Sequence, residues 1–412
     1  MDELDRDTAA ALWAASGAAG LSGRAGADPL PVPLAVVENT LGLGAAITER
    51  SERLGRRVDL DCLALLGERA AIAGLHRNGD TSCGGATQLL RSADAHVAVS
   101  LARESDIELV PAWMEAGPGP SDPSDVWQWI AELARDRTAA TLVERARLLG
   151  IPCSALGEVS PGTLWSVARL DAGSPPAAVS SKPVEEMVVV DLSSLWAGPL
   201  CAHVLALAGM RVIKVESTTR PDGARLGPAT FYDLLHGGHE SVALDFADLA
   251  DIDALRRLIA KADVVIEGSR PRALAQLGID AAAADGPTVW VSITGHGRTG
   301  VAADRVGFGD DTAVAGGLVT WDDDGPCFLA DAVADPLTGL LTASHALFHI
   351  RRGGRWLIDI PLAHVAAWCS PGPLLALDIG AIAEPLHRPV TASAAPLGRD
   401  TESVLADFRI ER

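Results

Sequence analysis

Val188-Val189-Val190-Asp191-Leu192 is the stretch whose reading decides the fold. A short β-branched run of this kind reads as a buried strand. Ala197-Gly198-Pro199 breaks it, and Pro199 suits the first turn of a helix. That helix is expected to reach about Ala208, with Gly209 as its stop. Arg211-Val212-Ile213-Lys214-Val215-Glu216 is the next strand. Further strands are expected at Ser241 to Leu244, Asp263 to Glu267 and Val289 to Ile293, with a helix over Asp251 to Ala262. Strand–helix–strand repetition implies a parallel sheet. Such sheets hold ligands at the carboxyl ends of their strands. The turns Trp196 to Pro199, Glu216 to Arg220, Gly268 to Arg272 and Gly295 to Gly300 therefore line the expected cleft.

The sequence thus predicts an α/β chain: a parallel Rossmann-like sheet with helices on both faces, plus a smaller α+β domain. The smaller part precedes the sheet. Asp94 to Leu101 reads as a strand, and Val126 to Ala134 and Thr138 to Leu149 read as amphipathic helices, closed by Gly150-Ile151-Pro152. The run from Gly173 to Pro183 is rich in Pro, Ser and Ala without an apolar period, which reads as a linker. The expected division is 1–172 as an N-terminal region with the small domain, 173–184 as linker, and 185–412 as the sheet domain.

Composition bounds the function. With 412 residues, two domains are the default. The formal net charge of −20, without a Lys/Arg-rich run, argues against a nucleic-acid partner, which needs clustered positive charge. An anionic ligand must then be held by a few local cations and backbone N–H groups. Six scattered cysteines with no C-x-x-C pair argue against a disulfide framework or a zinc site, and fit a reducing cytoplasm. Met1-Asp2-Glu3-Leu4-Asp5 lacks the basic-then-apolar pattern of a secretory signal, and no apolar run has membrane-spanning length. No Walker A loop, G-x-S-x-G elbow or H-E-x-x-H motif occurs.

A faint repeat is also present. Val36-Val37-Glu38-Asn39-Thr40-Leu41-Gly42 parallels Val333-Ala334-Asp335-Pro336-Leu337-Thr338-Gly339. Each is followed by a helical stretch, a basic-plus-glycine turn and an apolar strand, at Leu54 to Asp59 and at Gly353 to Asp359.

Several ordered motifs resemble the class III CoA-transferases, the family of formyl-CoA transferase, carnitine CoA-transferase and alpha-methylacyl-CoA racemase. They are Val190 to Pro199, Val212 to Glu216, Ser241 to Asp245, Asp263-Val264-Val265-Ile266-Glu267-Gly268-Ser269-Arg270-Pro271, Val291 to Gly295, Ala334 to Gly339, and the tail Ala395 to Thr401. Members normally place the small domain after the aspartate region, so this chain looks permuted, or duplicated with opposite parts lost. On the second account Glu38 is the relic of a second aspartate.

The resemblance implies a transferase that moves CoA between an acyl-CoA and a small carboxylic acid through a covalent aspartyl intermediate on Asp335. It implies no permanently bound cofactor, no metal, and a homodimer. A carboxylate nucleophile splits one difficult acyl transfer into easier steps and is expected to be ionised at neutral pH. Read locally, Asp335 followed by Pro336 is also a fitting helix N-cap. Gly268, Ser269, Arg270 and Arg272 stand at the family's CoA-binding turn, where glycine admits close backbone approach and arginine forks onto phosphate. Leu195, Trp196 and Ala197 stand at its first ligand-contacting turn, and Trp196 reads either as an apolar pocket wall or as packed core. Gly238-His239-Glu240-Ser241 replaces the usual Gly-Lys-Arg-Ser, so two cations are gone, and Lys214 is a candidate to compensate. The alternatives are an acyl-CoA racemase or isomerase, for which His296 is the nearest acid/base, and a non-catalytic CoA-binding partner subunit.

Overall fold

The computed structural model describes residues 4–120, 122–171, 181–284 and 286–411. Most of the expected linker, residues 173–180, lies outside the described residues. In chain order the strands are β1 (Thr87–Arg91), β2 (His96–Ser100), β3 (Cys153–Ala155), β4 (Ser166–Arg169), β5 (Val188–Leu192), β6 (Arg211–Ser217), β7 (Glu240–Leu244), β8 (Val264–Glu267), β9 (Val289–Thr294), β10 (Val319–Asp322), β11 (Gly325–Phe328) and β12 (Trp356–Pro361).

Seven of them form one sheet in the order β4-β12-β9-β8-β5-β6-β7. All its pairings are parallel except β12 with β4. The two-residue side-chain period divides each strand between two cores. Val188 and Val190 of β5 pack with helix Leu249–Ile259 on one face, while Val189 packs with helices Ala197–Leu207 and Ala334–His349 on the other. Helices therefore cover both faces, as the unbroken apolar runs require. The expected helix ending at about Ala208 is closed by Gly209, whose φ of 106° is a left-handed stop.

The chain order reverses at β5. It runs outward through β6 and β7, then returns to β8 on the other side of β5. The carboxyl ends of β5 and β8 therefore flank a switch-point crevice. β4, which precedes the 173–184 segment, forms the antiparallel edge beside β12, so the sheet draws on both sides of that segment.

Residues upstream build two layers. Helix Leu34–Arg53 packs along helix Ala334–His349, and Trp13, Val36, Val37 and Ile47 share one core with Leu337 and Leu340. The acids paired by the faint repeat both lie near the starts of these two helices. Arg50 joins the pair through Ser344, donating to its carbonyl at 2.7 Å and its hydroxyl at 2.6 Å. The strand expected over Leu54 to Asp59 is not formed. There Val58 N–H bonds to the Ser51 hydroxyl instead of to a neighbouring strand.

The small subdomain is an antiparallel sheet, β1-β2-β3, with its own core. Helices Val126–Ala134 and Ala139–Leu149 match the expected positions, the second capped by the Thr138 hydroxyl. One face of the sheet, with Leu90, Val97 and Val99, meets these helices. The other, with Leu89 and Ala98, meets Val314 of helix Gly309–Ala315 and the β10–β11 hairpin. The subdomain is thus anchored on the element just before the Asp335 helix.

One contact sets the spacing of the central helices. A Cβ at Gly339 would lie 2.7 Å from the Ala197 carbonyl oxygen and 3.0 Å from Leu200 Cβ. Gly339→Ala forces these helices apart and is expected to lower stability by about 1–3 kcal/mol, read as a reduced urea midpoint with unchanged slope.

Candidate active site

Residues four apart share a helix face, so Asp335 lies above Gly339 and on the same side. The Gly339–Ala197 contact therefore carries Asp335 to the turn Leu195-Trp196-Ala197. Asp335 is the second residue of its helix and not the cap; the residue before the helix is Val333. Its N–H bonds to the Ala332 carbonyl at 2.9 Å. The side chain is half-buried, packed among protein yet still open to solvent. Glycine is required at 309, because a Cβ there would lie 2.6 Å from Asp335 Oδ2.

Three more acids surround it. Asp310 accepts the Ala332 N–H at 3.0 Å and the Thr87 hydroxyl of β1 at 3.5 Å. Asp311 accepts Phe308 N–H at 2.7 Å, the Ser100 hydroxyl at 3.2 Å and the Ser154 hydroxyl at 3.3 Å. These bonds tie β1, β2 and β3 of the small subdomain to the Asp335 neighbourhood. Asp331 is fully buried and takes a two-pronged ion pair from Arg69, with Nε to Oδ2 at 2.8 Å. Ala330 and Ala332, on either side of Asp331, have φ of 53° and 44°. Left-handed non-glycine residues cost about 1–3 kcal/mol each and persist only where their surroundings fix them.

Burial raises these carboxyls. It lifts Asp335 to about 7; Arg69 opposes the shift, while Asp310, Asp311 and Asp331 add to it. Asp311 rises to about 7 and Asp310 to about 6, burial again first. Against the expectation of an ionised nucleophile at neutral pH, burial here pushes the Asp335 carboxyl up to about 7.

The turns at the switch point touch. A Cβ at Gly268 would sit 3.3 Å from Ser193 Cβ, and one at Gly198 only 2.1 Å from the Ser193 hydroxyl. Leu195 adopts φ 71° and is 39% exposed, with its N–H held by Asp222 at 3.0 Å. Trp196 is buried edge-on against Phe231 and under Arg69, within the core. Ala197 is buried as well, leaving Leu195 as the exposed side chain of this turn.

Lys214 does not compensate for the missing cations. It is buried between Asp191 at 3.4 Å and Asp222 at 3.2 Å, and it donates to the Ser193 carbonyl. Its network instead fixes the 193–195 turn, since Asp191 accepts Ser193 N–H at 2.9 Å and Asp222 accepts Leu195 N–H. Glu240, where a cation was expected, is itself paired with Arg211 at 2.6 and 2.8 Å.

Other cations gather near the 268–272 turn. Gly268 is exposed, Ser269 and Arg270 are half-buried, and Arg272 is exposed. Arg270 is pushed below the usual arginine value by burial, then by Arg272, Arg103 and Arg220. Arg103 comes from the small subdomain, where it bonds to Asp106 and to the Gly150 carbonyl. Arg220 follows β6 in a turn that was expected to line the cleft. Neither Arg270 nor Arg220 has an ion pair among the described residues. Four arginines thus converge beside the switch point of an acidic chain. Arg103 was invisible to sequence reading because only the fold brings it to residue 270, and Asp310, Asp311, Asp331 and Arg69 were missed for the same reason.

His296 is buried, with Nδ1 3.9 Å from Glu158 Oε1, and burial holds it well below the usual histidine range, so it is neutral. Among the described residues, no group of three or more His, Cys, Asp or Glu is placed to hold a metal ion, and no helix is long and apolar enough to cross a membrane.

Comparison with known proteins agrees with the motifs. Residues 184–387 match CoA-transferase family III. The chain is 32% identical to succinate–glutarate CoA-transferase of Agrobacterium fabrum, over 44% of this chain and 52% of that protein. It is 30% identical to human succinyl-CoA:glutarate CoA-transferase, over 39% of each, and 34% identical to mouse alpha-methylacyl-CoA racemase, over 27% of this chain and 28% of that protein. A solved CaiB/BaiF family protein from Brucella suis is 32% identical, covering 46% of this chain and 55% of that one, with a TM-score of 0.41. The chain spans about half the length, or less, of these curated relatives.

Removing Lys214 leaves Asp191 and Asp222 buried without a counter-charge. Lys214→Ala is expected to cost about 3–5 kcal/mol in chemical denaturation, and a loss below about 1 kcal/mol contradicts the ascribed network.

Proposed function

With residues 184–387 matching CoA-transferase family III, we propose that this chain moves CoA between an acyl-CoA and a small carboxylic acid, with Asp335 as nucleophile. The observation that carries the proposal is convergence. Gly268 lies against Ser193, and Gly339, one turn along the helix from the half-buried Asp335, lies against Ala197, which supports a shared site for Asp335, the Leu195 turn and the arginine-rich 268–272 turn.

In this reaction an Asp335 oxygen attacks the thioester carbonyl. The C–S bond breaks, CoA leaves as thiolate, and a mixed anhydride remains. The thiolate then attacks the aspartyl carbonyl, which releases the first acid and leaves CoA on Asp335. The incoming carboxylate attacks that thioester and expels CoA thiolate again. Attack of the thiolate on the new acyl carbonyl yields the new acyl-CoA and frees Asp335. Each step is nucleophilic acyl transfer, and no external proton donor is consumed. Arg103, Arg220, Arg270 and Arg272 supply positive charge for the CoA phosphates. The partners in this reading are an acyl-CoA, a small acid and a second copy of the chain, with no permanent cofactor. Six unpaired thiols fit a reducing, cytoplasmic setting.

Asp335→Asn is expected to abolish exchange of labelled CoA between two acids while leaving the fold intact; exchange retained at the wild-type rate contradicts the assignment. Because burial raises Asp335 to about 7, the nucleophilic carboxylate is the minority form below that pH and dominant above it. The exchange rate is therefore expected to climb roughly tenfold per pH unit below pH 7 and level off above it. A limb centred near pH 4, where an ordinary aspartate titrates, contradicts the buried-carboxylate account.

A further inference from the structure

The four acids around the site arrive from helix Gly309–Ala315 (Asp310, Asp311), from the turn before the next helix (Asp331), and from that helix itself (Asp335). Arg69, on helix Glu68–Ala73, is the cation that acts on Asp335, Asp310 and Asp331 alike. It belongs to the N-terminal segment, outside the family-matched region. Its guanidinium forks onto Asp331 and lies 5.6 Å from the centre of the Trp196 ring. The remaining titratable neighbour, Cys83, donates to the Ala330 carbonyl at 3.4 Å, and burial keeps it a thiol. Arg305 bears on Asp311 from outside the cluster.

The turn held by Arg69 is the one that launches the Asp335 helix. Ala330 and Ala332 are left-handed on either side of Asp331, and the Ala332 carbonyl accepts the Asp335 N–H. Ser22 accepts the Ala330 N–H at 3.1 Å, and Asp310 accepts the Ala332 N–H at 3.0 Å. Asp331 between them is fixed by Arg69.

We propose that Arg69 is a positioning residue for Asp335: by gripping Asp331 it fixes the turn from which the Asp335 helix starts, and it supplies the counter-charge for Asp331, Asp310 and Asp335. The proposal rests on Asp335 being the nucleophile, but its electrostatic content is measurable without turnover.

The sign is set by the neighbours. Arg69 lowers the Asp335 value, whereas burial, Asp310, Asp311 and Asp331 raise it. Loss of Arg69 therefore keeps the proton on Asp335 to higher pH. The test is an infrared titration of the full-length protein carrying ¹³C-labelled aspartate. The protonated Asp335 carbonyl band is assigned by its loss in Asp335→Asn. In Arg69→Met the midpoint of that band is expected to move up by about one pH unit, while Arg69→Lys, which keeps the charge but not the fork, stays near the wild-type midpoint.

Should Arg69→Met fail to fold because Asp331 is left bare, Arg69→Met/Asp331→Asn removes both members. Arg69 acts on Asp335 more strongly than Asp331 does, so the double variant's midpoint must still rise. A midpoint unchanged or lowered in Arg69→Met, or in the double variant where the single one does not fold, overturns the proposal. A wild-type protein without CoA exchange sinks the transferase reading and leaves this titration to be judged by itself.

Discussion

Close backbone approach at the switch point is the constraint on which the rest of the structure depends. β5 and β8 run side by side, and the turns that leave them meet because Gly268 has no side chain to hold them apart and Gly198 none to displace Ser193. The same logic acts one layer up, where Gly339 lets the Asp335 helix lie against the Ala197 carbonyl. Three glycines thus bring the turns at the ends of β5 and β8 together and seat the Asp335 helix against the first of them. Larger residues at any of the three would force these segments apart.

Within that crevice, burial and charge compete. Desolvation raises Asp335, Asp310 and Asp311; Arg69 restrains that tendency at Asp335 and Asp310, and Arg305 at Asp311. A second buried network, Asp191–Lys214–Asp222, spends its charge on geometry, locking the left-handed Leu195 turn. The two networks divide the work. One sets the shape of the ligand-facing turn, and the other sets how readily the carboxylate ionises. Lys214 and Arg69 are both committed to buried acids, while Arg270 and Arg220 have no ion pair among the described residues.

Much of the fold was legible. β-branched runs, glycine stops and proline at a helix start are local signals, and β5, β6, β8 and β9 lie where those signals place them. The β-strand expected at Leu54 to Asp59 did not form, and the Val58 N–H is taken up locally by the Ser51 hydroxyl. The site was legible only where residues cluster in sequence, as at 195–197 and 268–272. Asp310 and Asp311 gain meaning only when β1, β2 and β3 bring Thr87, Ser100 and Ser154 against them. Arg69 and Arg103 gain meaning only when residues upstream of the sheet fold back onto it. Lys214 was misread because a strand lysine gives no local sign that Asp191 and Asp222 enclose it.

The central claim is that the Asp335 carboxylate reaches a bound thioester. Mass spectrometry of the protein quenched during turnover with an acyl-CoA, after digestion, tests it most directly. The account predicts that the peptide spanning Asp335 carries the mass of an aspartyl–CoA adduct, absent from Asp335→Asn. An adduct on another peptide, or an unmodified Asp335 peptide in protein that is actively exchanging CoA, contradicts it.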